Sequence, residues 1–258
     1  MRHSIYISLI IGLLYSACES SVERNSLIDA QAVVDSAIAK SRLHILQDAI
    51  VNFDFRNRTY SYKVNEDQFE YTRLLLDSTG TETYDVLTNE GLTRFVNGVE
   101  QQLLEERRIA YSNSVNSVIY FAFLPYRLND IAVNKQYLGK VRILEKNYYK
   151  IKVTFSQEGG GEDFEDVFIY WFDTEDYSMD FLAYEYLTNG GGVRFREATN
   201  TRDINGIRIQ DYINYKPPKG EELKLIEIDR HFEQGNLEKL STIDLKNLTI
   251  ITNTKTNK

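Results

Sequence analysis

The sequence predicts a mainly β domain of the α+β class, an antiparallel meander with an N-terminal helix and a helical interval inserted midway. Three observations predict it. Apolar and polar residues alternate with period two over many short segments, separated by turns rich in glycine and asparagine. Tyrosine and phenylalanine number 18 and 13 of 258 residues, against 3 prolines, a bias toward pleated and half-buried surfaces. Strand follows strand without the crossover helices that a parallel sheet needs. The length suits one domain, expected over residues 27–251 and followed by a polar tail at 252–258.

The opening stretch, "MRHSIYISLIIGLLYSAC", has a basic start and an apolar core too short to span a bilayer. Small residues Ser16 and Ala17 precede Cys18, the only cysteine. This pattern resembles the lipobox of bacterial lipoproteins, which implies that residues 1–17 are a signal peptide and that Cys18 is acylated. Residues 18–26 then form a polar tether. The implied partner is a membrane, probed through the lipid anchor, and the implied location is the cell envelope at the outer membrane. Each buried methylene contributes about 0.8 kcal/mol, so several acyl chains hold a protein where one would not. No cysteine remains for a disulfide, and a net charge of −8 argues against binding nucleic acid through its phosphates.

Ser26 and Asp29 look like a capping box, and Ala30, Val33, Val34, Ala37 and Ile38 keep helical spacing to about Arg42. From Ile50 the period becomes two: Val51, Phe53 and Phe55, then Tyr60, Tyr62 and Val64, then Phe69, Tyr71 and Arg73. "TYDVLTNEGLTRFVNG" reads as a hairpin turning at Asn89–Gly91. The charged "EQQLLEERRIAYSN" and the apolar "SNSVNSVIYFAFLP" read as helical, the second apolar on all faces and stopped by Pro125. After a linking stretch, strands are expected at Val141–Leu144, Tyr149–Phe155, Val167–Phe172 and Met179–Leu187. Val193–Thr201 and Ile207–Tyr215 join through Asn205–Gly206, "IDRHFEQG" suggests a helical turn, and one strand closes the chain near Ile243–Ile251.

Two glycine triplets, in "FSQEGGGEDFEDVFIYW" and "TNGGGVRF", are the conspicuous loops. A phosphate loop requires a lysine and a hydroxyl residue opening a helix, whereas here acids precede a strand. Calcium-loop spacing is also missing. Both triplets therefore read as hairpin tips. Glu162, Asp163, Arg194 and Arg196 form a candidate polar rim, with Glu165 or Asp166 expected to pair with the arginines across neighbouring strands. His44 and His231 are isolated, no serine sits in a nucleophile elbow, and no metal-ligand spacing occurs. No catalytic residue, metal or cofactor is expected.

The lipobox, the single N-terminal helix, the long meander and the inserted apolar helix together resemble the LolA/LolB-like fold. The strings "YSNSVNSVIYFAFLP", "QEGGGEDFEDVFIYW" and "TNGGGVRFREA" resemble a Gram-negative lipoprotein family of unknown function, over about Leu27 to Leu248. The resemblance implies a curved antiparallel half-barrel whose hollow side is closed by helices. It places Val115, Val118, Ile119 and Ala122 toward the sheet or a bound acyl chain, with Trp171 as a further candidate for the cavity. A non-enzymatic carrier of a lipid or other hydrophobic molecule is the expectation. The rival readings are an envelope interaction module acting through Glu162 and Arg194, and a hydrolase using Asp163 and Asp166.

Overall fold

The computed structural model describes residues 28–158 and 164–252. The first sheet comprises β1 (Ala49–Phe55), β2 (Arg58–Asn65), β3 (Gln68–Leu76), β4 (Glu82–Thr88), β5 (Gly91–Val96) and β6 (Val99–Glu100). The helix α2 (Glu105–Ala122) leads to the second sheet, which comprises β7 (Val133–Ile143), β8 (Lys146–Phe155), β9 (Val167–Asp173), β10 (Met179–Tyr186), β11 (Gly192–Ile204) and β12 (Ile207–Lys216). Two closing strands, β13 (Glu238–Ile243) and β14 (Lys246–Thr252), divide between the sheets. β13 edges the second sheet beside β12, and β14 edges the first beside β1. All pairings are antiparallel, and the two sheets form an open half-barrel-like arrangement.

That division corrects the single closing strand expected from the sequence. The chain leaves one sheet at Ile243, opposite Tyr212, and enters the other with Ile250 opposite Val51. Asp211 pins the corner: its Oδ1 accepts from the Leu245 amide at 2.9 Å, and its Oδ2 lies 3.0 Å from Arg202. The linking stretch is corrected as well, since β7 already begins at Val133 and its hairpin turns at Leu144–Glu145. β7 is an edge strand with much of its length facing solvent, so its apolar alternation is weak.

Period two works as expected elsewhere. Phe53 stands opposite Tyr60 and Tyr62 opposite Tyr71, and in each pair the rings stack at 5.4 Å. β9 is buried on both faces, because Phe168, Tyr170 and Phe172 point inward while Ile169 and Trp171 pack outward beneath α3 (Ile228–Glu233).

The first helix, α1 (Ala30–Ser41), buries the five residues that keep helical spacing. Its cap is Asp29, whose carboxylate accepts from the Gln31 amide at 3.0 Å; Ser26 lies outside the described residues. α2 is one continuous helix, with Glu105 and Glu106 in the first turn where the dipole favours anions. It is covered on two sides and open on a third. Val115 and Ile119 are buried against the first sheet, Phe121 packs on Phe168 and Tyr184 of the second, and Asn116 and Ser117 are exposed. The segment that reads as apolar on all faces is thus buried on more than one side, as expected. The helix bridges the inner faces of two sheets, which leaves its remaining side uncovered.

Candidate functional site

The first sheet fastens α2 through a row of charges. Arg73, Asp85 and Arg94 stand opposite one another across β3, β4 and β5. Asp85 is 1% exposed and lies 2.6 Å from both Arg73 Nη2 and Arg94 Nε. Arg73 Nη1 donates to Ser114 Oγ at 2.7 Å, and the Arg94 guanidinium sits 3.4 Å from the Tyr111 ring centroid, both partners being on α2. Burial works against the Arg94 charge, but the hydrogen bond and charge of Asp85 outweigh it and hold this arginine above its ordinary value.

Against the second sheet the packing is looser. A cavity of about 310 Å³ lies between α2 and the inner faces of β10 to β13. Val118, Phe121 and Ala122 supply the helix side, with Phe55 and Leu245 at the seam between the sheets. On the sheet side are Tyr184, Arg196, Gln210, Tyr212, Asn214 and Ser241. Register explains the polar part: Arg196 is opposite Asn214, and Asn214 is opposite Ser241, so the three form a row on one face.

Arg196 is the buried charged group of this lining, and Arg56 is an exposed one at its margin. The Arg196 guanidinium lies over Phe121 at 4.1 Å and beside Tyr184 at 5.1 Å, and Nη2 donates to the Tyr184 hydroxyl at 2.9 Å. Burial pushes the Tyr212 hydroxyl up to about 12, with the Gln210 hydrogen bond and the Arg196 charge pulling the other way. The phenol therefore stays neutral at physiological pH. The wall is two-sided: the helix contributes Val118, Phe121 and Ala122, and the sheet contributes mostly polar side chains.

The sequence-predicted residues fall into distinct places. Val118, Ala122 and Arg196 line the cavity, whereas Val115 and Ile119 turn to the first sheet. Trp171 lies on the outer face of the second sheet, where its Nε1 donates to Asp229 at 3.2 Å. Arg194 shares the inward face of β11 but sits toward its start, donating to the Tyr186 hydroxyl at 2.6 Å. Cys18, Glu162 and Asp163 lie outside the described residues, as does the first glycine triplet. The expected pairing across neighbouring strands is corrected by topology: β10 intervenes between β9 and β11, and the two arginines reach its tyrosines. Tyr184, Gln210, Asn214 and Ser241 were not singled out by sequence. For Gln210 and Asn214 the signal is polar side chains at alternate positions, with Tyr212 between them, on one face of β12.

His44 is exposed next to α1 and His231 lies on α3. Among the described residues no group of three or more histidine, aspartate or glutamate side chains is placed to hold a metal, and no helix is long and apolar enough to cross a membrane.

Residues 3–244 match DUF6503, a family of unknown function. The chain belongs to this family. A DUF1329 family protein from Desulfovibrio piger resembles the DUF6503 chain at 12% identity and a TM-score of 0.50, over 88% of this chain and 94% of that one. A LolA superfamily protein from Nitrosomonas europaea is similar at 12% identity and a TM-score of 0.48, over 86% and 93% of the two chains. A putative outer membrane lipoprotein-sorting protein domain from Vibrio parahaemolyticus is similar at 9% and 0.45, over 89% and 96%. At these identities the first likeness speaks to fold alone, and it agrees with the half-barrel implied by the resemblance to the LolA/LolB-like fold. No match is found among curated proteins.

Proposed function

We propose that this DUF6503 chain is a cell-envelope lipoprotein that binds a lipid or another hydrophobic molecule without transforming it. The cavity between α2 and the second sheet carries the reading. Its volume of about 310 Å³ suits one small ligand or a single short acyl chain, at the lower end of the usual range for ligand pockets. The helix that walls it is fixed to the opposite sheet by the Arg73–Asp85–Arg94 row, so the cavity persists without requiring the second sheet to close on it. Cys18 supplies the anchor, and residues 18–26 the tether that holds the cavity near the membrane surface.

Native mass spectrometry of the full chain after gentle extraction is expected to show a co-purifying lipid. Filling the cavity by Val118→Trp is expected to weaken fatty-acid binding by about tenfold or more, because the added ring occupies the ligand's volume. A protein with no bound lipid and no fatty-acid affinity sinks the reading. For the anchor, metabolic labelling with an alkynyl palmitate should mark the wild-type chain, and Cys18→Ser should abolish the label and release the protein from membranes. A labelled, membrane-bound Cys18→Ser variant would refute acylation at this residue.

A further inference from the structure

We infer that the molecule bound in this cavity is an amphiphile with an anionic head group, gripped by the in-plane N–H donors of Arg196. The inference rests on the cavity being a ligand site and adds the chemistry of its ligand.

Three cationic residues are buried among the described residues: Arg73, Lys150 and Arg196. Arg73 has the Asp85 carboxylate at 2.6 Å, and Lys150 has Asp229 at 2.7 Å. Arg196 is 8% exposed and has no carboxylate partner among the described residues. Phe121 lies against the guanidinium at 4.1 Å, and Tyr184 meets its edge through the hydroxyl. A ring against the face leaves the edge donors for other partners. Of those donors only Nη2 is engaged, while Nε is buried with no acceptor.

A buried guanidinium with unused donors is costly unless something supplies the negative charge. Register rules out the sheet as that source, because the groups opposite Arg196 and next in the row are the neutral Asn214 and Ser241. The first sheet places Asp85 between its two arginines, whereas the second sheet's buried Asp211 pairs with Arg202 and, among the described residues, no carboxylate pairs with Arg196. The cavity as a whole repeats the asymmetry. Its lining holds Arg196 and, at the exposed β1–β2 turn, Arg56, but no aspartate or glutamate, in a chain whose net charge is −8. Arg196 lies beside Phe121, and Val118 and Ala122 continue the apolar helix wall. A head group at Arg196 with a hydrocarbon chain along α2 satisfies both surfaces, and a carboxylate or a phosphate monoester supplies the same planar or forked acceptor edge.

Calorimetric titration of the full chain with decanoate, decyl phosphate and decanol tests this. Wild type is expected to bind at least one anion about tenfold or more tightly than decanol, the factor that one charge-assisted hydrogen bond provides. The stronger of the two anions tells a carboxylate site from a phosphate site. In Arg196→Met, which keeps an apolar stem under Phe121, the three affinities should converge to within about twofold, with decanol binding retained. Equal wild-type affinity for all three overturns the anionic head group and leaves the cavity reading standing, as does a preference that survives Arg196→Met. Binding of none of the three overturns the cavity reading and this inference with it. Where Arg196→Met does not fold, Arg196→Lys and Arg56→Met take its place: a preference that is lost in Arg56→Met and kept in Arg196→Lys overturns the assignment to Arg196.

Discussion

An Asp85→Ala variant is expected to lose about 3–5 kcal/mol of stability, enough to unfold a domain of ordinary marginal stability. The carboxylate is almost fully buried and serves Arg73 and Arg94 at once. Its removal leaves two cations facing each other in the space between β4 and α2, and the cost is that of the stranded charges more than of the lost attraction. Urea unfolding followed by circular dichroism measures it. The triple variant Arg73→Met, Asp85→Leu, Arg94→Met is the control, and it should recover most of the loss because it strands nothing. A single variant within about 1 kcal/mol of wild type would show that the row does not fasten the helix. Since Ser114 and Tyr111 of α2 hang on these arginines, partly folded Asp85→Ala should also lose its ligand affinity.

Asp229→Ala is expected to cost a similar amount, about 3–5 kcal/mol, on the other side of the second sheet. Asp229 Oδ2 accepts from Lys150 Nζ at 2.7 Å and from Trp171 Nε1 at 3.2 Å, and Lys150 donates further to the Ile226 carbonyl at 2.6 Å. The single carboxylate thus ties α3 and the turn before it to the outer face of β8 and β9. Trp171 is the only tryptophan, so its emission reports this contact directly. The variant should unfold at lower urea with a shifted native emission, and Lys150→Met with Asp229→Leu should recover most of the stability. Unchanged emission together with unchanged stability would refute the account. The cavity lies on the opposite face, so ligand affinity per folded molecule should stay constant. That outcome separates this outer cluster from the site.

Most strand positions and the buried face of α1 were legible in the chain, because side-chain direction repeats every two residues in a strand and every 3.6 in a helix. Phe53, Tyr60, Tyr62 and Tyr71 share one inward face as their alternation requires, and the Asn205–Gly206 turn joins β11 to β12 as its residues demand. The candidate site was legible only in part. Val118, Ala122 and Arg196 lie on the cavity, but Val115 and Ile119 serve the other sheet, and Trp171 turns outward from a strand buried on both faces. A strand apolar on each side offers no local signal of which face meets the hollow.

Sequence by itself determined the all-antiparallel character, the first helix and its buried face, the place of the inserted helix, and a net negative charge. Those follow from neighbours in the chain. Only the tertiary structure decided that the two closing strands part to opposite sheets, that β10 separates the strands after the two glycine triplets, and that Arg196 faces neutral partners across its row. These depend on pairings between residues far apart in sequence, where register and sheet order set the partners and local periodicity does not reach.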